Sequence, residues 1–479
     1  MTPVKVDIDP ADFSDDSSAE LSRSDTDMSV GDSEDHPAMV WDTPLEKARG
    51  LSGLQTTLSL VTSIIGAGIM ALPMLPRTCG INAVIAFSIF GAWATQESGS
   101  AFYKAWAAWN RTKRPEDAIV TFEDFAAAGL GKGGATLVRF SMLISLVGSM
   151  AGYVVLIVQQ LRGISGLEWK TSTWILIVGP VLWFLCMMRD ISAVAKLVPL
   201  AVLAAIGSCI LISLAAWDDQ DHWESWPEKD IARMHSYGPE HGILPLGTAF
   251  GCITGAFSVM ANIPPIISEM KRPKHFPKAL NSAMMICSAL YLAVIIIGYW
   301  GYGNFIQPNI LVSMTKFPVN ATEAFDMPVT SWSGTSGPYL ANMLSYCVLC
   351  NLLLSYPVMM MSVFASVQGL SCAKTNMQPG QPRNYVMRTG FVLATCLIAA
   401  VVPNFGVIFE FFCSVCGPFL GFFVPIVAGE RIRKQLGAKG SSPMRLFLHV
   451  LIMVSGVFCI VVGFVGSCKD LKEVIQSGE

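Results

Sequence analysis

The chain has 479 residues, of which 52% are hydrophobic and only 14% charged, with a mean hydropathy of +0.51. Soluble domains carry about a quarter charged residues, so this balance excludes an ordinary soluble protein and indicates an integral membrane protein. The net charge of −3 hides a lopsided distribution and gives no reason to expect a nucleic-acid partner.

From Asp7 to Asp35, eleven acids stand against one base, Arg23, among many serines. Such a segment cannot bury enough apolar surface to fold. Residues 1–50 are therefore expected to form a disordered, acidic cytoplasmic tail open to cytoplasmic regulators, and 51–479 the membrane domain. A helix needs about twenty apolar residues to cross hydrocarbon. Eleven such stretches follow, at 54–76, 81–105, 137–161, 173–188, 193–216, 244–268, 280–302, 339–368, 385–402, 405–428 and 446–467.

The first and sixth stretches stand apart. Gly66-Ala67-Gly68-Ile69-Met70-Ala71-Leu72-Pro73 and Gly255-Ala256-Phe257-Ser258-Val259-Met260-Ala261-Asn262-Ile263-Pro264-Pro265 are rich in residues that break helices. Lipid does not tolerate loose backbone, so such a break must be satisfied by protein or face a water-filled cavity. Interrupted spans at matching places in two halves point to a transporter's central site. Five spans per half turn the second half over in the membrane. The expectation is an inverted repeat of 51–216 and 244–430, with 446–467 as an added helix. The alternative is a plain bundle whose glycines only allow close helix approach.

Orientation follows from basic residues, which favour the cytoplasmic side. A cytoplasmic N-terminus places 24 of the 32 Lys and Arg there, including Lys271-Arg272-Pro273-Lys274 and Arg431-Ile432-Arg433-Lys434. The acidic, aromatic loop after Trp217 then lies outside, as does Asn320-Ala321-Thr322, which makes Asn320 a candidate glycosylation site.

Thr62-Ser63-Ile64-Ile65-Gly66-Ala67-Gly68-Ile69-Met70-Ala71-Leu72-Pro73 resembles the first-span signature of the amino acid/auxin permease family. Phe257 to Pro273, with Glu269-Met270-Lys271-Arg272-Pro273 and then Phe276-Pro277-Lys278, is similar to that family's sixth span and the turn after it. Tyr153 and Ser355-Tyr356-Pro357 also fall where the family has a tyrosine and a small-hydroxyl-x-Pro motif. The resemblance implies an all-α, polytopic LeuT-like fold of about eleven helices, with helices one and six broken. It further implies amino-acid transport coupled to a proton or sodium gradient.

The residues at these positions suit that chemistry. Freed N–H groups at Gly66, Ala67 and Gly68, at the positive end of a half-helix, can hold a carboxylate. Freed carbonyls around Thr62, Ser63 and Gly255 can face an ammonium or a cation, and Ser258 adds a hydroxyl at the second break. Phe257 and Tyr153 would close over the side chain, unless they are simply core packing. In sodium-coupled members of the family, polar side chains in spans one and eight help hold the ion. Here those places carry Thr62 and Ser355, whose hydroxyls can instead bond their own helices. A proton would need a titratable group, and Glu97, Asp190, Glu269 and Glu410 lie in or beside spans. Of these, Glu97 sits deepest.

No cofactor is expected beyond the coupling ion. Cys347-Val348-Leu349-Cys350 and Cys413-Ser414-Val415-Cys416 lie in apolar spans without nearby histidines, and read as packing residues rather than zinc ligands. No phosphate-binding loop or nucleophile–base set is evident, which disfavours an ATP-driven pump or an enzyme. The expected function is an ion-coupled amino-acid carrier in the plasma membrane or a vacuolar or endolysosomal membrane. An amino-acid sensor signalling through the tail and a passive facilitator or channel are the alternatives.

Overall fold

A computed structural model describes residues 50–114, 117–167, 169–187, 198–220, 235–239, 242–307, 309–315, 337–368, 381–402, 404–438 and 441–477. The acidic tail, Asp190 and Asn320 lie outside these residues. Among the described residues the regular structure is helical, apart from one backbone bridge between Leu51 and Met270.

The first stretch folds as α1 (Gly53–Ile64), two 3-10 turns and α2 (Leu75–Cys79). Then come α3 (Ile81–Thr112), α4 (Phe122–Ser165), α5 (Thr171–Met187) and α6 (Val198–Gln220). The sixth stretch is again divided, into α7 (Leu244–Ala256), a 3-10 turn and α8 (Ile263–Glu269). The chain continues through α9 (Phe276–Tyr302), α10 (Ile310–Thr315), α11 (Gly337–Gln368) and α12 (Pro382–Val401). It ends with α13 (Phe405–Pro418), α14 (Val424–Gln435), α15 (Pro443–Phe458) and α16 (Phe464–Ser477), each of these last two pairs being joined through a short π-helical turn.

Local sequence explains the boundaries. Ser52 and Gln55 form a reciprocal capping box that starts α1, and Thr121 and Asp124 do the same for α4. These side chains satisfy N–H groups that the first turn leaves open. Within α4, Gly131 has φ 78°, a conformation that only glycine adopts cheaply, so the helix kinks there. Pro264 and Pro265 begin α8, where a missing N–H costs nothing.

Among the described residues, seven helices are long and apolar enough to cross a membrane, or eight when the bent pair of the first stretch is one span. Helices α3, α5 and α6 occupy their expected places but fall short of that length or apolarity. The outer faces are apolar: Leu176, Phe184, Leu203, Leu397 and Phe447 are each more than 60% exposed. An apolar surface that extensive belongs against lipid rather than water.

The interior surrounds the two divided helices. Helix α4 packs on α11 and α13, α13 packs on α7, and α9 packs on α1, α3 and α6. Helix α16 and the turn before it close against α7 and α13, where a Cβ on Gly247 would strike the backbone of Gly463 at 2.6 Å. The start of the first stretch is tied to the end of the sixth. Leu51 N–H donates to Glu269 O at 2.8 Å, and Lys271 N–H donates to Leu51 O at 2.9 Å.

Candidate functional site

The first break is sharp. The axis of α1 and that of the following segment, Gly68–Cys79, differ by 56°. Helix α1 ends at Ile65, whose ψ of 93° is extended, and Gly66 follows at φ −120°, ψ −152°. Two glycines in three residues make helix continuation costly, by about 1 kcal/mol each relative to Ala. Among the described residues, the N–H groups of Gly66 and Gly68 find no backbone acceptor.

The second break is shallower. Phe257 N–H still bonds Ile253 O at 3.1 Å and Ser258 N–H bonds Gly255 O at 3.0 Å. Val259 then leaves the helix at φ −133°, ψ −7°, before the turn at Met260–Asn262.

Both breaks open onto one cavity of about 110 Å³. Ser63, Gly66 and Gly68 line it from the first break, and Gly255, Ser258 and Asn262 from the second. Tyr153 of α4 and Phe405, Phe409 and Cys413 of α13 form the opposite wall. Among the described residues no charged side chain lines it, so its polar character comes from backbone, hydroxyls and one amide. The fit is close. A Cβ on Gly68 would lie 2.9 Å from Phe409, and one on Gly66 would lie 2.8 Å from the Tyr153 hydroxyl.

One residue from outside the motifs joins the two breaks. The single proton of the Tyr291 hydroxyl of α9 is shared between Ile64 O at 2.8 Å and Ala256 O at 3.3 Å. These are carbonyls at the ends of α1 and α7, freed because each helix stops there. Tyr291 is fully buried and its ring lies 5.2 Å from that of Phe257. A buried tyrosine needs a partner for its hydroxyl. That rule could have flagged Tyr291 within its apolar span, although not the partner it finds.

The structure brings together Ser63, Gly66, Gly68, Tyr153, Gly255 and Ser258. The Ala67 backbone runs between the two glycines, opening the 3-10 turn. The remaining site residues lie elsewhere. Phe257 does not line the cavity: its nearly helical backbone keeps the ring on the far side of α7, against Tyr291 and Gly91. The Thr62 hydroxyl donates to Leu58 O at 2.7 Å and that of Ser355 to Asn351 Oδ1 at 3.1 Å, and neither residue lines the cavity. Glu97 pairs with Arg445 Nε at 3.0 Å, away from the cavity. Glu269 is exposed at the C-terminal end of α8. Glu410 faces a separate cavity of about 550 Å³ shared with Arg77, Lys469 and Asp470.

A helical protein with lipid-compatible outer faces and two interrupted helices lining one small internal cavity belongs to the class of polytopic membrane proteins. Its sequence matches, over residues 49–469, the profile of the family described as "Transmembrane amino acid transporter protein", and the chain belongs to that family. Among curated relatives it is 24% identical to "Amino acid transporter AVT6C" of Arabidopsis thaliana over 430 residues, covering 86% of this chain and 93% of the relative. It is 22% identical to "Amino acid transporter AVT1E" of the same plant, covering 80% of this chain and 66% of that protein. "Lysine histidine transporter-like 3", also from Arabidopsis thaliana, is 21% identical over 90% of this chain and 92% of its own length.

Proposed function

We propose that the protein is a secondary active transporter that carries an amino acid by alternating access, coupled to a proton or sodium gradient. One observation carries this reading: two interrupted helices line a single cavity, the first presenting unpaired N–H groups, and no described residue in the lining is charged. A zwitterion has both charges on its main-chain part. The N–H groups of Gly66 and Gly68 suit its carboxylate, and the hydroxyls of Ser63 and Ser258 with the Asn262 amide suit its ammonium.

The cavity also bears on substrate size. About 110 Å³ is room for a small solute, several times the ~10–15 Å³ that one water needs. With no counter-charge in the wall, the best fit is an amino acid with a short, uncharged side chain. A charged side chain would lose its water without gaining a partner.

Eleven spans arranged as a five-plus-five inverted repeat, with α15 and α16 outside it, agree with the order of the helices and the two breaks. A cytoplasmic N-terminus agrees with the basic residues beside α8 and α14. On this scheme the broken spans rock against the others, and the Leu51–Met270 pairing helps to close the cytoplasmic side.

The test is uptake of a panel of labelled amino acids into proteoliposomes, with pH and sodium gradients imposed separately. Accumulation above the external concentration under one gradient is expected, and it should be greatest for alanine-sized substrates. Flux that only equilibrates would make the protein a passive facilitator, and binding without flux would make it a sensor.

A further inference from the structure

Away from the cavity, His449 of α15 is 1% exposed and stands between two carboxylates from different helices. Its Nε2 lies 3.4 Å from Glu97 Oε1 of α3, and its Nδ1 lies 3.8 Å from Glu430 Oε1 of α14. These are ion-pair distances rather than tight hydrogen bonds. Both ring nitrogens are sealed from solvent.

Each carboxylate already has cationic company. Arg445 Nε donates to Glu97 at 3.0 Å, while Arg433 Nη1 and the Ser441 hydroxyl donate to Glu430. Paired in this way, both carboxylates turn acceptor oxygens toward the ring. Lys104 of α3 lines the same small void, of about 10 Å³, which barely reaches the size needed for one water. The charged groups around the imidazole are therefore Glu97 and Lys104 from α3, Glu430 and Arg433 from α14, and Arg445 from its own helix.

A neutral imidazole has one donor nitrogen and one acceptor nitrogen. Set between two acceptors, it can serve one glutamate and must turn a lone pair toward the other. Only the imidazolium donates on both sides. We propose that His449 is a proton-binding site, and that the bound proton clasps α15 to α3 and α14 by bridging Glu97 and Glu430. The proton comes from solvent and returns to it, and no covalent bond to a heavy atom changes. The site does not depend on the transport reading. It makes the attachment of the last span sensitive to pH on the side of the membrane where Arg431, Arg433 and Lys434 lie.

The clasp sets the expected sign. The clasp is complete when the ring is charged, so its contribution is present on the acid side and is lost as the ring gives up its proton. Imidazoles commonly change charge between about pH 5 and 8. The test is thermal unfolding of the full-length protein in nanodiscs across that range, comparing the native chain with His449→Gln and Glu430→Gln. The native Tm should fall as pH rises, by more than in His449→Gln, because the other five histidines are common to both proteins. In Glu430→Gln the new amide can donate to a neutral Nδ1, so the same part of the fall should disappear while the histidine is retained.

If His449→Gln does not fold, Glu430→Gln decides alone. A native Tm that is flat with pH, or a fall that persists undiminished in the folded variants, overturns the proposal. Unfolding needs no substrate. A failed uptake panel with the step present would therefore count against transport and leave this site standing.

Discussion

Replacing Tyr291 with Phe removes one hydroxyl and keeps the ring that packs 5.2 Å from Phe257. The change isolates the contact that Tyr291 makes with Ile64 O at 2.8 Å and Ala256 O at 3.3 Å. A buried carbonyl left unpaired costs about 1–3 kcal/mol. Measured hydrogen bonds in membrane proteins contribute less, about 0.6 kcal/mol on average and at most about 1.7, because the unfolded chain in lipid also finds partners. That discount applies to unfolding. It does not apply to the position of the two breaks relative to each other, since both states compared are then folded. We expect about 1–2 kcal/mol at the site, which is roughly a 5- to 30-fold weaker affinity for substrate. The loss of thermal stability should be smaller, below about 1.7 kcal/mol. Equilibrium binding of the best transported amino acid, together with thermal unfolding of the same preparation, measures both quantities. Unchanged affinity in a folded Tyr291→Phe protein would refute the idea that this hydroxyl holds the breaks in register.

Gly68→Val should abolish binding and uptake, because its Cβ would lie 2.9 Å from Phe409 and 3.5 Å from Ala256, in the space the substrate needs. The branched side chain also stiffens a segment that must stay unwound. Uptake within a factor of a few of the native rate would show that the first break does not contact the substrate. Cys413 carries a free thiol on the cavity wall. A saturating transported amino acid should slow its alkylation, read by peptide mass spectrometry, while Cys468 in α16 reacts at an unchanged rate; equal slowing at both would remove the cavity from the binding model. Removing sodium at constant pH should leave uptake by Thr62→Val and native protein equally affected, since the Thr62 hydroxyl donates to Leu58 O and lies outside the cavity lining. A sodium requirement lost only in the variant would return Thr62 to the ion site.

The two breaks were legible because their causes are local. Glycine at 66 and 68 and proline at 264 and 265 act on their own backbone, whatever packs around them. Side-chain direction was not legible. Phe257 looked like a lid because it is aromatic and adjacent to the break, yet its nearly helical backbone at the end of α7 points its ring at α3 and α9. Phe409, which does face the cavity, lies in an apolar run where nothing distinguishes it from its neighbours. Glu97 was identifiable as a rare acid inside a span, but not the reason it can be there. Its partner Arg445 is 348 residues away in sequence, and only packing brings the two together.

The sequence by itself determined that the protein lives in a membrane, the approximate places of its spans, and where two of them fail. Those outcomes depend on transfer of apolar residues from water and on backbone preferences that act within a few positions. Tertiary structure alone decided that both failures face one small cavity, that Tyr291 binds both of them, and that His449 stands between two glutamates. Each of these is a distance between residues far apart in the chain. Such distances are set by how whole helices fill space against one another, and no local pattern records them.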